Sequence, residues 1–255
     1  MLFDRLPIPV DLRAEKVSFH WHGPDAHLAP VPMTPLSQAM LGKTNCAAIT
    51  LIAGVVLVAA RRLELLADTG RLHFLAECLL CYERSPLYYS GYRRPKPTSP
   101  PPQIELVVSN IFTKATAVFQ QTPKKHSSFP PTQALKNVVS LTELILGKEH
   151  EAYLRGFLAQ SIARLNVCAA NPDQVFTTRS DYNTDQQWAE VTRRNFGTPV
   201  PLEALDPTQM LDPPSLELFY RRTLLNADWR VNPYLAPTQV MLEAGFAGDP
   251  FPVGR

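Results

Sequence analysis

The chain has 255 residues, 45% of them hydrophobic and 19% charged, enough to bury a sizeable core in one large domain or two small ones. That balance excludes overall disorder. Twenty-five basic residues face 23 acidic ones, a net charge of +2, so the basic bias of a general nucleic-acid binder is missing. The opening MLFDRLPIPV carries Asp4 and two prolines where an export signal needs a basic patch and then an apolar run. Cys46, Cys78, Cys81 and Cys168 fall in apolar helical patterns, which predicts buried reduced thiols and a cytoplasmic location.

Residues 1–33 form an extended N-terminal segment. Over 16–22 (KVSFHWH) apolar and polar residues alternate with period two, the pattern of a short strand. Pro24, Pro30, Pro32 and Pro35 then keep the chain extended or turning. At Thr34-Pro35 a capping hydroxyl precedes a proline suited to the first helical position, so helices begin there. Residues 36–68 read as one long apolar helix, or as two broken near Gly42. Within it, 44–60 is uncharged; at 1.5 Å per residue it spans ~26 Å, short of the ~30 Å hydrocarbon core. A central core helix, apolar all round, accounts for it with no membrane contact.

Helical spacing continues over 71–83, with Leu72, Leu75, Leu79 and Tyr82 on one stripe, and over 103–120, 133–146 and 149–169. Further on, Thr184 and Gln187 make a capping box that opens a helix ending at Gly197. Asp212-Pro213 opens another, and a short helix over 238–244 stops at Gly245. Between these lie a Pro-rich loop at 93–103 and a polar, aperiodic loop at 171–183. Amphipathic helices need partners, so the expected fold is mainly α: a multi-helix bundle in a single domain over 1–255, with a short N-terminal strand or extended segment and Pro-rich loops.

Catalytic and metal-binding patterns fail on inspection. Gly42-Lys43-Thr44 lacks the earlier glycine of a phosphate loop, Ser37 standing in its place. The run from Asp181 to Asp185 begins like a calcium loop, but Gln186 replaces the turning glycine and Thr192 the final glutamate. Cys78 and Cys81 have knuckle spacing inside a leucine-rich helix, with no second pair. His20, His22 and His27 are the one histidine cluster; on a strand His20 and His22 share a face and would chelate zinc if Asp25 or His27 joined them. The arginine pairs at 61–62, 93–94, 193–194 and 221–222 read as solvated helix faces, or as contacts to an acidic partner.

The tail between Asn232 and Phe251, NPYLAPTQVM at 232–241 and GFAGDPF at 245–251, resembles tails of bacterial proteins encoded beside type VI secretion effectors, immunity proteins among them. The resemblance implies a protein that binds and silences a toxin; it assigns no residues. Local chemistry adds that Pro237 starts a short helix, Gly245 ends it, and Phe246 and Phe251 staple the tail to the body.

Together these readings predict a non-enzymatic protein whose partner is a cognate protein toxin or effector, with no cofactor, nucleic acid or membrane. The expected partner surface is the polar loop over 171–185, with Tyr182 as aromatic anchor and Asp181 and Asp185 meeting basic groups. Two alternatives stand beside it: a metal-dependent enzyme built on His20 and His22, and a membrane-associated component held through 44–60.

Overall fold

Thr34 and Thr44 show how the helical body starts. In the computed structural model, which describes residues 2, 5–19, 21–23, 34–91, 102–120, 131–175 and 179–248, the Thr34 hydroxyl accepts the Ser37 N–H at 3.2 Å and opens α1 (Pro35–Ala39). Gly42 then turns the chain at φ 70°, a left-handed conformation that costs glycine little. The Thr44 hydroxyl accepts the Ala47 N–H at 3.3 Å to start α2 (Asn45–Leu63). The break expected near Gly42 is therefore present, and α2 stops at Leu63.

Every residue of α2 is buried. It is long and apolar enough to cross a membrane by length and composition, and the rest of the chain covers it completely. Around it pack α3 (Gly70–Tyr82), α4 (Gln103–Thr116) and α5 (Thr132–Cys168). A 3-10 turn at Leu202–Leu205 fits against α2 and α5. Gly54 makes that fit close: a Cβ there would stand 2.5 Å from Leu205 Cδ1 and 3.1 Å from Phe157. Full burial of each large apolar side chain contributes roughly 1.5–3 kcal/mol, so α2 is the main apolar anchor of the fold.

Within α5, Gly147 sits at φ 69°, ψ 178° and breaks the helix where two separate helices were expected. The carbonyls exposed by that break need donors. Arg62, on the last turn of α2, supplies one: its Nε donates to the Ile145 carbonyl at 3.1 Å. Its other nitrogens donate to the Leu12 carbonyl at 3.2 Å and to Glu149 Oε1 at 2.6 Å. One buried guanidinium thus joins α2, the α5 break and the N-terminal segment. Arg61 and Arg62 are both buried, which corrects their reading as a solvated face.

Along residues 16–22 the period-two pattern is real, but the strand is not. Val17, Phe19 and Trp21 lean on the core while Lys16, Ser18 and His22 face solvent. No strand forms among the described residues; a strand needs a partner backbone to supply its ladder, which alternation alone does not provide. The extended form of the expectation holds; the hydrogen-bonded one does not. Farther upstream, Arg5 grips Glu203 with two bonds of 2.7 Å and donates to the Thr223 hydroxyl at 2.6 Å.

The last third holds α6 (Asp185–Phe196), α7 (Pro213–Asn226) and α8 (Thr238–Glu243). Their start signals act as expected: Thr184 accepts the Gln187 N–H at 3.2 Å, and Asp212 accepts the Ser215 N–H at 3.0 Å. Gly197 and Gly245 end α6 and α8 at φ 80° and 87°. Phe246 then packs edge-on against Tyr88, centroids 5.4 Å apart, stapling the tail as anticipated. Phe251 lies outside the described residues, as do 93–101 of the Pro-rich loop. One apolar core runs from Leu6 to Phe246, and the fold is mainly α.

Candidate partner-binding surface

The polar segment after α5 is sewn into the body at its first half. Ala169 accepts the Thr44 N–H at 3.1 Å, and the Asn171 N–H donates to the Gly42 carbonyl at 2.6 Å. Gln174 bonds the same turn from both ends of its amide: Oε1 accepts the Gly42 N–H at 2.9 Å, and Nε2 donates to the Lys43 carbonyl at 2.8 Å. From the other side, Asn195 on α6 donates to the Val175 carbonyl at 2.7 Å and accepts the Val175 N–H at 3.3 Å. Residues 171–175 are thus a polar staple between the α1–α2 turn and α6, where an open loop was expected. Burial of Lys43 beneath this staple lowers its pKa, and its ammonium donates to the Ala39 carbonyl.

Farther along, a 3-10 turn at Arg179–Asp181 leads into α6. Asp181 and Asp185 are exposed, and Asp185 occupies the first turn of α6, where the helix dipole favours a carboxylate. Tyr182 is half-buried. Its ring rests on Trp188 one turn into the helix, centroids 5.6 Å apart and planes tilted by 46°. The three residues therefore form one edge: an aromatic ring held against α6, with a carboxylate on either side in sequence.

The histidine cluster resolves only in part. His22 is described and exposed, whereas His20, Asp25 and His27 lie outside the described residues. Among the described residues, no group of three or more His, Cys, Asp or Glu side chains converges as a metal site would. The four cysteines are free thiols, with Cys46, Cys78 and Cys81 buried and Cys168 half-buried. Burial pushes the first three well above the usual thiol range. Cys78 Sγ lies 3.4 Å from the Tyr234 carbonyl, so the Cys-x-x-Cys spacing serves packing between α3 and the tail.

Three buried carboxyls, Glu83, Glu203 and Asp206, escaped the sequence reading, and Glu83 is the least exposed of them. Glu83, just after α3, is 2% exposed, with the Thr50 hydroxyl 2.6 Å from Oε1 and the Val200 N–H donating to Oε2 at 2.6 Å. Burial holds it well above the ordinary carboxylate range. The signal was present: Glu83 falls four residues after Leu79 and so continues the apolar stripe of Leu72, Leu75 and Leu79. Thr50 and Val200 hold this acid inside the core, where it ties the end of α3 to α2 and to the backbone at Val200. No protein-family model, curated protein or solved structure matches the chain.

Proposed function

We propose that the chain is a non-enzymatic protein-binding protein, acting in the cytoplasm as an immunity protein that binds and neutralises a secreted bacterial toxin. The observation that supports this best is the edge at the start of α6. There, Asp181 and Asp185 are exposed around a Tyr182 ring already seated on Trp188. An aromatic side chain fixed before binding loses little rotamer freedom when a partner covers it. Exposed carboxylates beside it attract a basic surface and set its orientation. The tail resemblance to proteins encoded beside type VI secretion effectors points to a toxin as that partner. A toxin whose active site binds an anionic substrate presents the basic surface this edge would cover.

Affinity capture with the full chain as bait, from cells of the source bacterium, tests the reading. One protein should be retained in stoichiometric amount, and its toxicity in a host cell should disappear when this chain is co-expressed. Tyr182→Ala should weaken the complex by about tenfold or more, the scale of an aromatic anchor. Asp181→Lys with Asp185→Lys should slow association and reduce its salt dependence. Capture of no protein across several growth states would sink the proposal.

A further inference from the structure

A second surface carries the opposite charge. Helix α7 fixes one face inward: Tyr220, Thr223 and Leu224 are buried, and the Tyr220 hydroxyl donates to the Leu80 carbonyl at 3.4 Å. Its other face is not apolar by accident of length. Leu218 is 65% exposed and Leu225 45% exposed, while Arg221 and Arg222 between them are also exposed. Residues seven apart on a helix lie two turns along one side, about 10.5 Å from each other. Arg221 and Arg222 follow Leu218 by three and four positions, so both guanidinium stems rise from the same stripe.

We infer that this face of α7 docks an acidic amphipathic helix of another protein, with Leu218 and Leu225 gripping its apolar stripe and Arg221 and Arg222 pairing with its carboxylates. Two leucines one heptad apart suit a helical ligand, whose own side chains recur at the same interval. Guanidinium groups bind carboxylates through paired N–H donors, and their weak hydration lets them enter an interface. Glu217 stands beside Leu218, so two arginines and one glutamate leave the face with net charge +1. A second copy of this chain is a poor occupant: antiparallel pairing of Leu218 with the copy's Leu225 would set Arg221 against Arg222, like charge against like. The inference is independent of the acidic edge at α6, whose partner must be basic.

A synthetic, side-chain-stapled helix bearing two leucines seven residues apart, flanked by glutamates, serves as the probe; a twin with lysines in place of the glutamates is its control. Binding to the full chain is read by fluorescence anisotropy at low and physiological salt. The acidic peptide should bind at least ten times more tightly than the basic one and weaken as salt rises. Leu218→Ser with Leu225→Ser should cost about tenfold in affinity, and Arg221→Glu with Arg222→Glu should reverse the preference between the peptides. All four positions are exposed, so matching thermal unfolding of the variants should accompany these changes. Binding of neither peptide, equal binding of both, or unchanged affinity in the variants overturns the inference. Concentration-dependent dimerisation lost in the double-serine variant also overturns it, by giving the face to a second copy.

Discussion

Thr50 Oγ1 lies 2.6 Å from Oε1 of Glu83 and 2.8 Å from the carbonyl oxygen of Val200. A threonine hydroxyl has one hydrogen, and a carbonyl oxygen can only accept. If the Thr50 hydrogen goes to Val200, the short contact to Glu83 is a hydrogen bond only when Glu83 itself carries a proton. The Val200 N–H closes the ring onto the other carboxyl oxygen at 2.6 Å. Burial pushes Glu83 toward the neutral form, in which its own proton completes that contact. The ionisable neighbours, Cys46 on α2, Cys81 on α3 and Tyr220 on α7, are driven to their neutral forms by burial as well.

A pH dependence follows, with a definite sign. The folded pKa of Glu83 lies well above the 4.5 of an ordinary glutamate, so the folded state holds the proton more tightly than the unfolded chain. Its contribution is complete below that unfolded value and is lost as pH rises towards the folded one. Glu83→Gln keeps the geometry of the neutral acid: the amide N–H donates to Thr50 and the amide oxygen accepts from Val200. Urea midpoints should therefore match the parent near pH 5, and exceed it progressively at pH 7 and 9. Parallel curves for the two proteins would show that Glu83 does not titrate in the folded state. Glu83→Ala, which orphans the Val200 N–H and opens a cavity, should cost about 2–5 kcal/mol near pH 5, and less as pH rises and the parent loses the stability its buried proton supplies.

Arg62 and Glu149 form a pair whose members should differ sharply. Arg62 is 5% exposed and serves two backbone carbonyls besides the carboxylate, whereas the Glu149 side chain is 65% exposed. Loss of Glu149 leaves a guanidinium still bonded twice. Arg62→Met leaves the Ile145 and Leu12 carbonyls without their donor at the α5 break. Glu149→Ala should cost about 0–1 kcal/mol, the range of an exposed ion pair. Arg62→Met should cost about 2–4 kcal/mol, because charged hydrogen bonds to buried carbonyls are lost together. Chemical unfolding of both variants checks the contrast, and equal losses would contradict it.

Features set by a few adjacent residues were legible before the structure. The Thr184–Gln187 and Asp212–Ser215 caps, the breaks at Gly42 and Gly147, and the all-round burial of α2 each follow from local spacing and apolar content. Alternation over 16–22 was read as a strand signal; Val17, Phe19 and Trp21 do lean on the core, but pairing depends on a distant strand, and none forms among the described residues. Buried charge was harder to see. Arg62 and Glu83 look like ordinary helix-end residues until Ile145 and Val200, more than 80 and 110 positions away, bring their partners. At the candidate surface, Asp181, Tyr182 and Asp185 were visible as a polar run. The seat of Tyr182 on Trp188 was not, because it crosses from turn to helix, outside either period.

Gly197 and Gly147 separate backbone strain from crowding. Both hold positive φ, 80° and 69°, in extended ψ regions close to glycine's alone. Around Gly147 a Cβ would meet nothing within 4 Å, whereas at Gly197 it would stand 2.2 Å from Thr44 Cγ2 and 2.4 Å from Thr44 Cβ. Gly147→Ala should therefore cost only the conformational penalty, about 1–3 kcal/mol. Gly197→Ala must also push α6 away from the first turn of α2, where Thr44 caps the central helix. That movement would strain the Asn171 and Asn195 bonds that tie residues 171–175 to both elements. The Gly197 variant should be the less stable of the two in thermal unfolding. It should also show faster amide exchange at Asn171 and Val175, while the Gly147 variant leaves those amides protected. Equal exchange at the two amides in both variants would show that Gly197 and Thr44 do not hold the staple in place.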